Sequence, residues 1–194
     1  MTYATAQAPS AARNNTIERL SGFPPVINAD THTLILGSFP GNASLLAGQY
    51  YAFRHNQFWR LLSEVVERDL TALDYPDKLA ALLQQGIGLW DIFRHCQRQG
   101  SLDTAIRNGE LNDFSALHQR YPRLQRVCFN GQTAARLQRW FREQGFQTLV
   151  LPSSSPAHAS KSFRQKCLEW QRLRHVADDS APPPLQAAPD SGQH

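Results

Sequence analysis

Cysteine is scarce in this chain and badly placed for any joint task. Cys96, Cys128 and Cys167 are the only three, they lie far apart, and no C-x-x-C pair occurs. That argues against a disulfide framework and against a cysteine-rich zinc site. It also falls short of the four thiolates an iron–sulfur cluster requires. Long apolar runs are missing too. The longest, such as Leu34-Ile35-Leu36, are a few residues, so no transmembrane helix is expected. The opening stretch "MTYATAQAPSAARNNTIERL" has no apolar heart of the secretory kind, and the expected location is the bacterial cytoplasm or nucleoid. There is no block of five or more like charges. The net charge of +4 comes mostly from arginines scattered along the chain. Such a balance suits a polyanionic partner without singling one out.

Several chemistries lack their signatures. Neither the Walker A pattern nor G-x-G-x-x-G is present, which gives no support to nucleoside triphosphate or dinucleotide binding. The G-x-S-x-G elbow of serine hydrolases is absent. So is the H-x-E with P-C-x-x-C of zinc deaminases. No metal or other cofactor is expected.

What is present is an alternating pattern. Short apolar runs bounded by turn residues or opening on Gly read as strands: "TLILGSFP" from 33, "GIGLWDIF" over 86–93, "LQRVCFNG" from 124 and "QTLVL" from 147. Between them lie amphipathic segments: 57–70, 75–86 with Gly86 as its stop, a turn plus helix over 101–122, 132–145 closed by Gly145, and 161–176. The order predicts a three-layer α/β/α fold around a mainly parallel four-stranded sheet. The folded domain is expected over residues 21–176. Residues 1–20 read as a loose arm and 177–194 as a disordered Pro-rich tail. Nothing in the chain demands more than a monomer.

In parallel sheets ligands gather at the C-terminal strand ends. The strand ends 37–44, 90–94, Asn130-Gly131 and 153–158 should lie on one edge of the sheet. Four segments carry candidate chemistry. "GSFPGNAS" carries Gly37, Pro40 and Gly41, which let backbone N–H groups approach a ligand, though an ordinary strand-to-helix turn would look alike. "QYYAFRHNQFW" offers flat rings for stacking and one amide, Asn56. Phe58 and Trp59 are expected in the core face of the following helix, and Asn56 could serve as that helix's cap. "LPSSSPAHAS" sets small hydroxyl residues around His158, suited to a phosphate backbone. "GLWDIF" ends in Asp91, the one carboxylate expected to face a pocket.

Together "LGSFPGNASL", "QYYAFRHNQFW", "GIGLWDIF", "GSLDTAI", "FNGQTA" and "LPSSSPAHAS" resemble the uracil-DNA glycosylase superfamily, and within it the hypoxanthine-DNA (deoxyinosine) glycosylase branch called family 6. The resemblance covers roughly residues 22–175. It implies a monofunctional enzyme that flips a deaminated base out of DNA, hydrolyses its N-glycosidic bond and leaves an abasic site for downstream repair enzymes. In many superfamily members an Asn or Asp before the first-motif proline positions the water. Phe39 holds that place here, and the resemblance moves the catalytic role to Asn56. Gly37 and Ser38 would approach the base, Phe39 or Tyr51 would stack on it, and Asp91 would read its edge. Ser153, Ser155 and His158 would hold the DNA. Ser155 stands where many relatives have His or Asn, which argues against strong uracil removal. Uracil, xanthine or mismatch excision on the same fold, and a non-catalytic nucleic-acid-binding module, are the competing expectations.

Overall fold

A computed structural model describes residues 18–174. Its centre is a four-stranded sheet made of β2 (Thr33–Gly37), β3 (Ile87–Asp91), β6 (Arg126–Asn130) and β7 (Gln147–Leu151). The order is β3-β2-β6-β7 and all three pairings are parallel. Every residue of β2 is buried, as a central strand covered on both faces must be.

The pleat sorts these strands' side chains into two cores. Ile35, Leu89, Cys128 and Leu149 face one way, onto α2 (Phe58–Val66), α3 (Tyr75–Gln84) and α6 (Phe163–Trp170). Leu34, Leu36, Val127 and Phe129 face the other, onto the short α4 (Leu117–Arg120) and α5 (Gln138–Glu143). The result is three layers around a mainly parallel sheet. The aromatic crowding of α2 is largely structural, since Phe58 is wholly buried and Trp59 nearly so.

The second face also carries elements the periodicity did not reveal. The apolar run over 86–93 belongs to two strands. Beyond Asp91 the chain leaves the parallel sheet and continues as β4 (Phe93–Gln97), which pairs antiparallel with β1 (Arg19–Ser21) and with β5 (Arg107–Leu111). The stretch 101–122, expected as a turn plus a helix, is therefore mostly not helical. It holds a 3-10 turn at Asp103–Ala105, then β5, and only the single turn of α4. β5 is exposed along its whole length, so no apolar alternation marks it in the sequence. Arg19 and Leu20, expected in the loose arm, are strand residues. Most of that arm and the whole 177–194 tail lie outside the described residues.

Other boundaries moved slightly. The helix expected over 57–70 stops at Val66, where Glu67 takes a left-handed backbone (φ 53°). The segment 132–145 splits into a 3-10 turn at Ala134–Leu137 followed by α5. Among the described residues no helix is long and apolar enough to cross a membrane.

Candidate active site

The C-terminal ends of β2, β3, β6 and β7 open into one cleft of about 620 Å³. Gly37, Ser38, Phe39, Tyr51, Asn56, Asp91, Ser153, Ser155 and His158 all line it. Four separate stretches of sequence therefore meet at a single sheet edge.

Its floor is the junction of β2 and β3, where Gly37 pairs with Asp91. A Cβ on Gly37 would lie 2.4 Å from Asp91 Oδ1 and 2.8 Å from the Tyr51 hydroxyl. Glycine is required there because a carboxyl and a phenol converge on its Cα. Asp91 is 3 % exposed, and its Oδ2 has no hydrogen-bond partner among the described residues. Burial pushes its carboxyl up to about 7, nearby Asp103 adds to the rise, and Arg98 opposes it.

Tyr51 forms one wall. Its ring stacks on Phe58 at 3.6 Å between centroids, 10° from parallel. Its hydroxyl accepts from Asn130 Nδ2 at 3.2 Å. The residue holds φ 55°, in the left-handed region that bulky side chains rarely occupy. Such strain costs on the order of 1–3 kcal/mol and persists only where surrounding contacts enforce it. Burial first, then Asp91, raises the phenol well above its ordinary range, so it stays protonated. Its neighbour Tyr50 is core: its hydroxyl donates to the Pro24 carbonyl at 3.1 Å. Phe39 is 6 % exposed and lies beneath the Arg98 guanidinium, 5.2 Å from ring centroid to Cζ. Only its edge is available to a ligand. Phe53, 46 % exposed at the rim, is the more open ring.

Asn56 does two things at once. The N-cap of α2 is Gln57, not Asn56; from the residue before it, Asn56 Oδ1 accepts the Phe58 N–H at 3.0 Å and so satisfies the first free donor of the helix. Because a backbone N–H must meet an acceptor, this bond also fixes which end of the amide is oxygen. Nδ2 is left with no partner among the described residues, on a side chain that lines the cleft.

The loop 153–158 closes the far wall and is held from below. Asn130 Oδ1 accepts the Ser154 N–H at 2.8 Å, and its Nδ2 donates to Ser154 Oγ at 2.9 Å. The Gln57 N–H donates to the Ser154 carbonyl at 3.0 Å. Lys166, 1 % exposed, donates to Gln57 Oε1 at 3.0 Å and to the Ser155 carbonyl at 3.4 Å. Desolvation lowers its ammonium below the ordinary lysine value. Within the loop, Ser155 Oγ accepts the Ala157 N–H and the Ser155 carbonyl accepts the His158 N–H. These internal bonds leave the loop little freedom.

Sequence reasoning placed Asn130 at a strand end of the pocket without giving it a role, and passed over Asp103, Arg98 and Lys166. Asn130 ends a strand at "FNG", which signals a turn but not a brace between two walls. Asp103 sits in a 3-10 turn near the start of the stretch read as turn plus helix. Ser38 Oγ donates to Asp103 Oδ1 at 2.6 Å, and the Asn42 N–H donates to Ser101 Oγ at 3.0 Å, so this loop clasps the Pro40-Gly41 turn. Arg98 donates to the Pro40 carbonyl from beneath. No group of three or more His, Cys, Asp or Glu residues among those described could hold a metal ion.

Comparison with known proteins agrees with this architecture. A family model described as the uracil DNA glycosylase superfamily matches residues 24–175. A hypoxanthine DNA glycosylase from Methanosarcina barkeri is 42% identical over 149 residues, covering 77% of this chain and 94% of the relative. One from Methanosarcina acetivorans is 41% identical over 155 residues, covering 79% of this chain and 98% of the relative. Among solved structures, the solution NMR structure of a Methanosarcina acetivorans protein, described as a candidate uracil DNA glycosylase, superposes with a TM-score of 0.73. It is 38% identical, and the match covers 81% of this chain and all of that one.

Proposed function

The chain belongs to the uracil DNA glycosylase superfamily, and from that premise we propose that it is a hypoxanthine DNA glycosylase. It takes a deaminated purine from DNA, hydrolyses the N-glycosidic bond with water and leaves an abasic site. The observation that carries the substrate is the near full-length similarity to two hypoxanthine DNA glycosylases. The cleft supplies a matching chemistry.

A base inside a duplex is out of reach, so the nucleotide swings out and the cleft must compensate for a few kcal/mol of lost stacking. The Tyr51 wall, backed by Phe58, and the edge of Phe39 receive the flat ring. Gly37, lacking a Cβ, lets the base reach Asp91 and the Tyr51 hydroxyl. Asp91 contacts the base edge, and Ser38 lies beside it, steadied by Asp103. Cleavage builds positive charge on the sugar, as in glycoside hydrolysis. No strong base is required if a water is already in line. The unpartnered Nδ2 of Asn56 holds that water, with the amide locked by its own bond from the Phe58 N–H. Ser153, Ser155 and His158, on the braced loop, hold the DNA strand and fill the space the nucleotide leaves. The enzyme acts as a monomer without a cofactor, and its abasic product passes to an abasic-site endonuclease.

The test is excision from labelled duplexes carrying one deoxyinosine, uracil or deoxyxanthosine, followed by alkali. Strand cleavage at inosine, far above the other two, is the expected result. Preferred cleavage at uracil would move the substrate to the pyrimidine branch of the family. Retention of DNA with no abasic site on any duplex would leave only a binding module.

A further inference from the structure

Hypoxanthine leaves through N9, and the bond's electron pair flows into a purine ring. A proton delivered to a ring nitrogen lets that base depart neutral. None of the roles assigned above supplies this proton. The Asn56 amide is not an acid in this range, and His158 sits on the rim loop, its Nε2 3.3 Å from Ser160 Oγ.

One acid is built into the floor. Asp91 lines the cleft yet is 3 % exposed, and no hydrogen-bond donor among the described residues satisfies its Oδ2. The nearest cation does not neutralise it by contact. Arg98 spends Nη2 on the Pro40 carbonyl, while its Nε and Nη1 are buried and unbonded. A second carboxyl, Asp103, stands close and takes its hydrogen bond from Ser38. A charged Asp91 would be an unpaired anion in a dry site facing another carboxylate.

We propose that Asp91 is a catalytic acid: it occupies the cleft protonated and passes that proton to a ring nitrogen of the departing purine. The proposal rests on the glycosylase reading above. The Asp91 O–H bond breaks as a purine N–H bond forms. The C1′–N9 bond breaks with its electron pair entering the ring. The water oxygen bonds to C1′ and loses its spare proton to solvent, from which Asp91 is later reprotonated. The balance is deoxyinosine plus water giving an abasic sugar plus neutral hypoxanthine.

The titration of Asp91 supports this, since its carboxyl is held up to about 7. The charged and titratable groups around it are few. Asp103, on the 3-10 turn, raises it, and Arg98, beyond β4, lowers it. Tyr50 and Tyr51 before α2, and Tyr75 at the start of α3, feel its charge, and burial keeps all three phenols protonated through the neutral range.

The experiment is single-turnover release of hypoxanthine from a deoxyinosine duplex between pH 5 and 9, with circular dichroism melts to check folding. The wild-type rate should be level on the acid side and fall about tenfold per pH unit above a bend in the neutral range. Asp91→Asn keeps the shape and a hydrogen-bonding edge but has no proton to give. It should be slower by about 100-fold or more at pH 6 and lose the bend. Asp103→Asn keeps Asp91 but removes the neighbouring charge, so the bend should move to lower pH whatever the plateau. A wild-type rate that is flat or rises from pH 6 to 9 overturns the proposal, as does an Asp91→Asn enzyme that keeps the wild-type slope, or an Asp103→Asn bend that stays in place. In each of those cases hypoxanthine is still released and the glycosylase reading stands. No release by the wild-type protein at any pH removes both.

Discussion

Asn56 is where stability and catalysis can be pulled apart with two substitutions. Its Oδ1 accepts the Phe58 N–H, and its Nδ2 points to no protein partner among the described residues. Asn56→Ala removes both groups. The lost hydrogen bond should cost about 1 kcal/mol, or roughly 2–4 °C in melting temperature for a chain of this size. Asn56→Ser keeps a hydroxyl able to accept the same N–H, so its stability should lie within about 0.5 kcal/mol of wild type. Neither variant can present an amide N–H₂ to a water. If that group orients the nucleophile, both should lose about 100-fold or more in single-turnover excision, which corresponds to about 2.7 kcal/mol of barrier. The assay pairs thermal melts with hypoxanthine release at saturating protein. If Asn56→Ser recovers wild-type excision along with wild-type melting, the residue supports the start of the helix and nothing more, and the water-holding role is refuted.

Three further outcomes follow from the same geometry. Gly37→Ala would force a Cβ to within 2.4 Å of Asp91 Oδ1 and 2.8 Å of the Tyr51 hydroxyl. Overpacking of this kind should cost about 1–3 kcal/mol and abolish measurable excision, and a fully active Gly37→Ala enzyme would show that the base does not enter there. Lys166→Met keeps the buried stem but strands Gln57 Oε1 and leaves the Ser155 carbonyl with the His158 N–H alone. It should lower stability by about 1–3 kcal/mol in urea melts and weaken duplex binding measured by fluorescence anisotropy. Asp91 gives a pH signature in stability. Its folded value, about 7, lies above the unfolded carboxyl near 4. Between those limits the folded chain binds the extra proton, so this stabilisation is complete below pH 4 and is lost as pH rises towards 7. Asp91→Asn should therefore melt with less loss between pH 5 and 8 than wild type does, and identical pH slopes for the two proteins would contradict a raised carboxyl.

The fold was legible wherever burial wrote itself as periodicity. The four central strands are short apolar runs, three of them closed by Gly, Pro or Asn, and each is legible to within a few residues. The antiparallel sheet was not legible, for a physical reason. β5, "RNGEL", is exposed along its length, and its pairing with β4 depends on backbone hydrogen bonds that any sequence can make. Apolar Phe114 and Leu117 beyond it supply core contacts and lent the stretch a helical look. The site was legible as strand ends with chemistry on them. Its supports were not. Asn130, Asp103 and Lys166 are ordinary polar residues in sequence, and they gain meaning only from partners 24, 65 and 109 positions away.

Those supports bear on how the cleft can act without a strong base or a metal in its proposed mechanism. Electrostatic and positional catalysis works only if donors are already aimed before the substrate arrives. Here the walls are tied to one another as well as to the core. Asn130 holds the Tyr51 hydroxyl with one group and Ser154 with both. The Gln57 N–H, next to Asn56, takes the Ser154 carbonyl, and Lys166 joins Gln57 to Ser155. The Tyr51 ring and the 153–158 loop therefore share one hydrogen-bonded network, and Asn56, the proposed holder of the water, adjoins it through Gln57. Displacing any one of them breaks bonds to another, and in a dry site those losses are large. The left-handed backbone of Tyr51 is the local cost of this arrangement. It is maintained because the ring is trapped against Phe58 while its hydroxyl is fixed by Asn130. A strained residue held at both ends is what the proposed base-receiving wall requires.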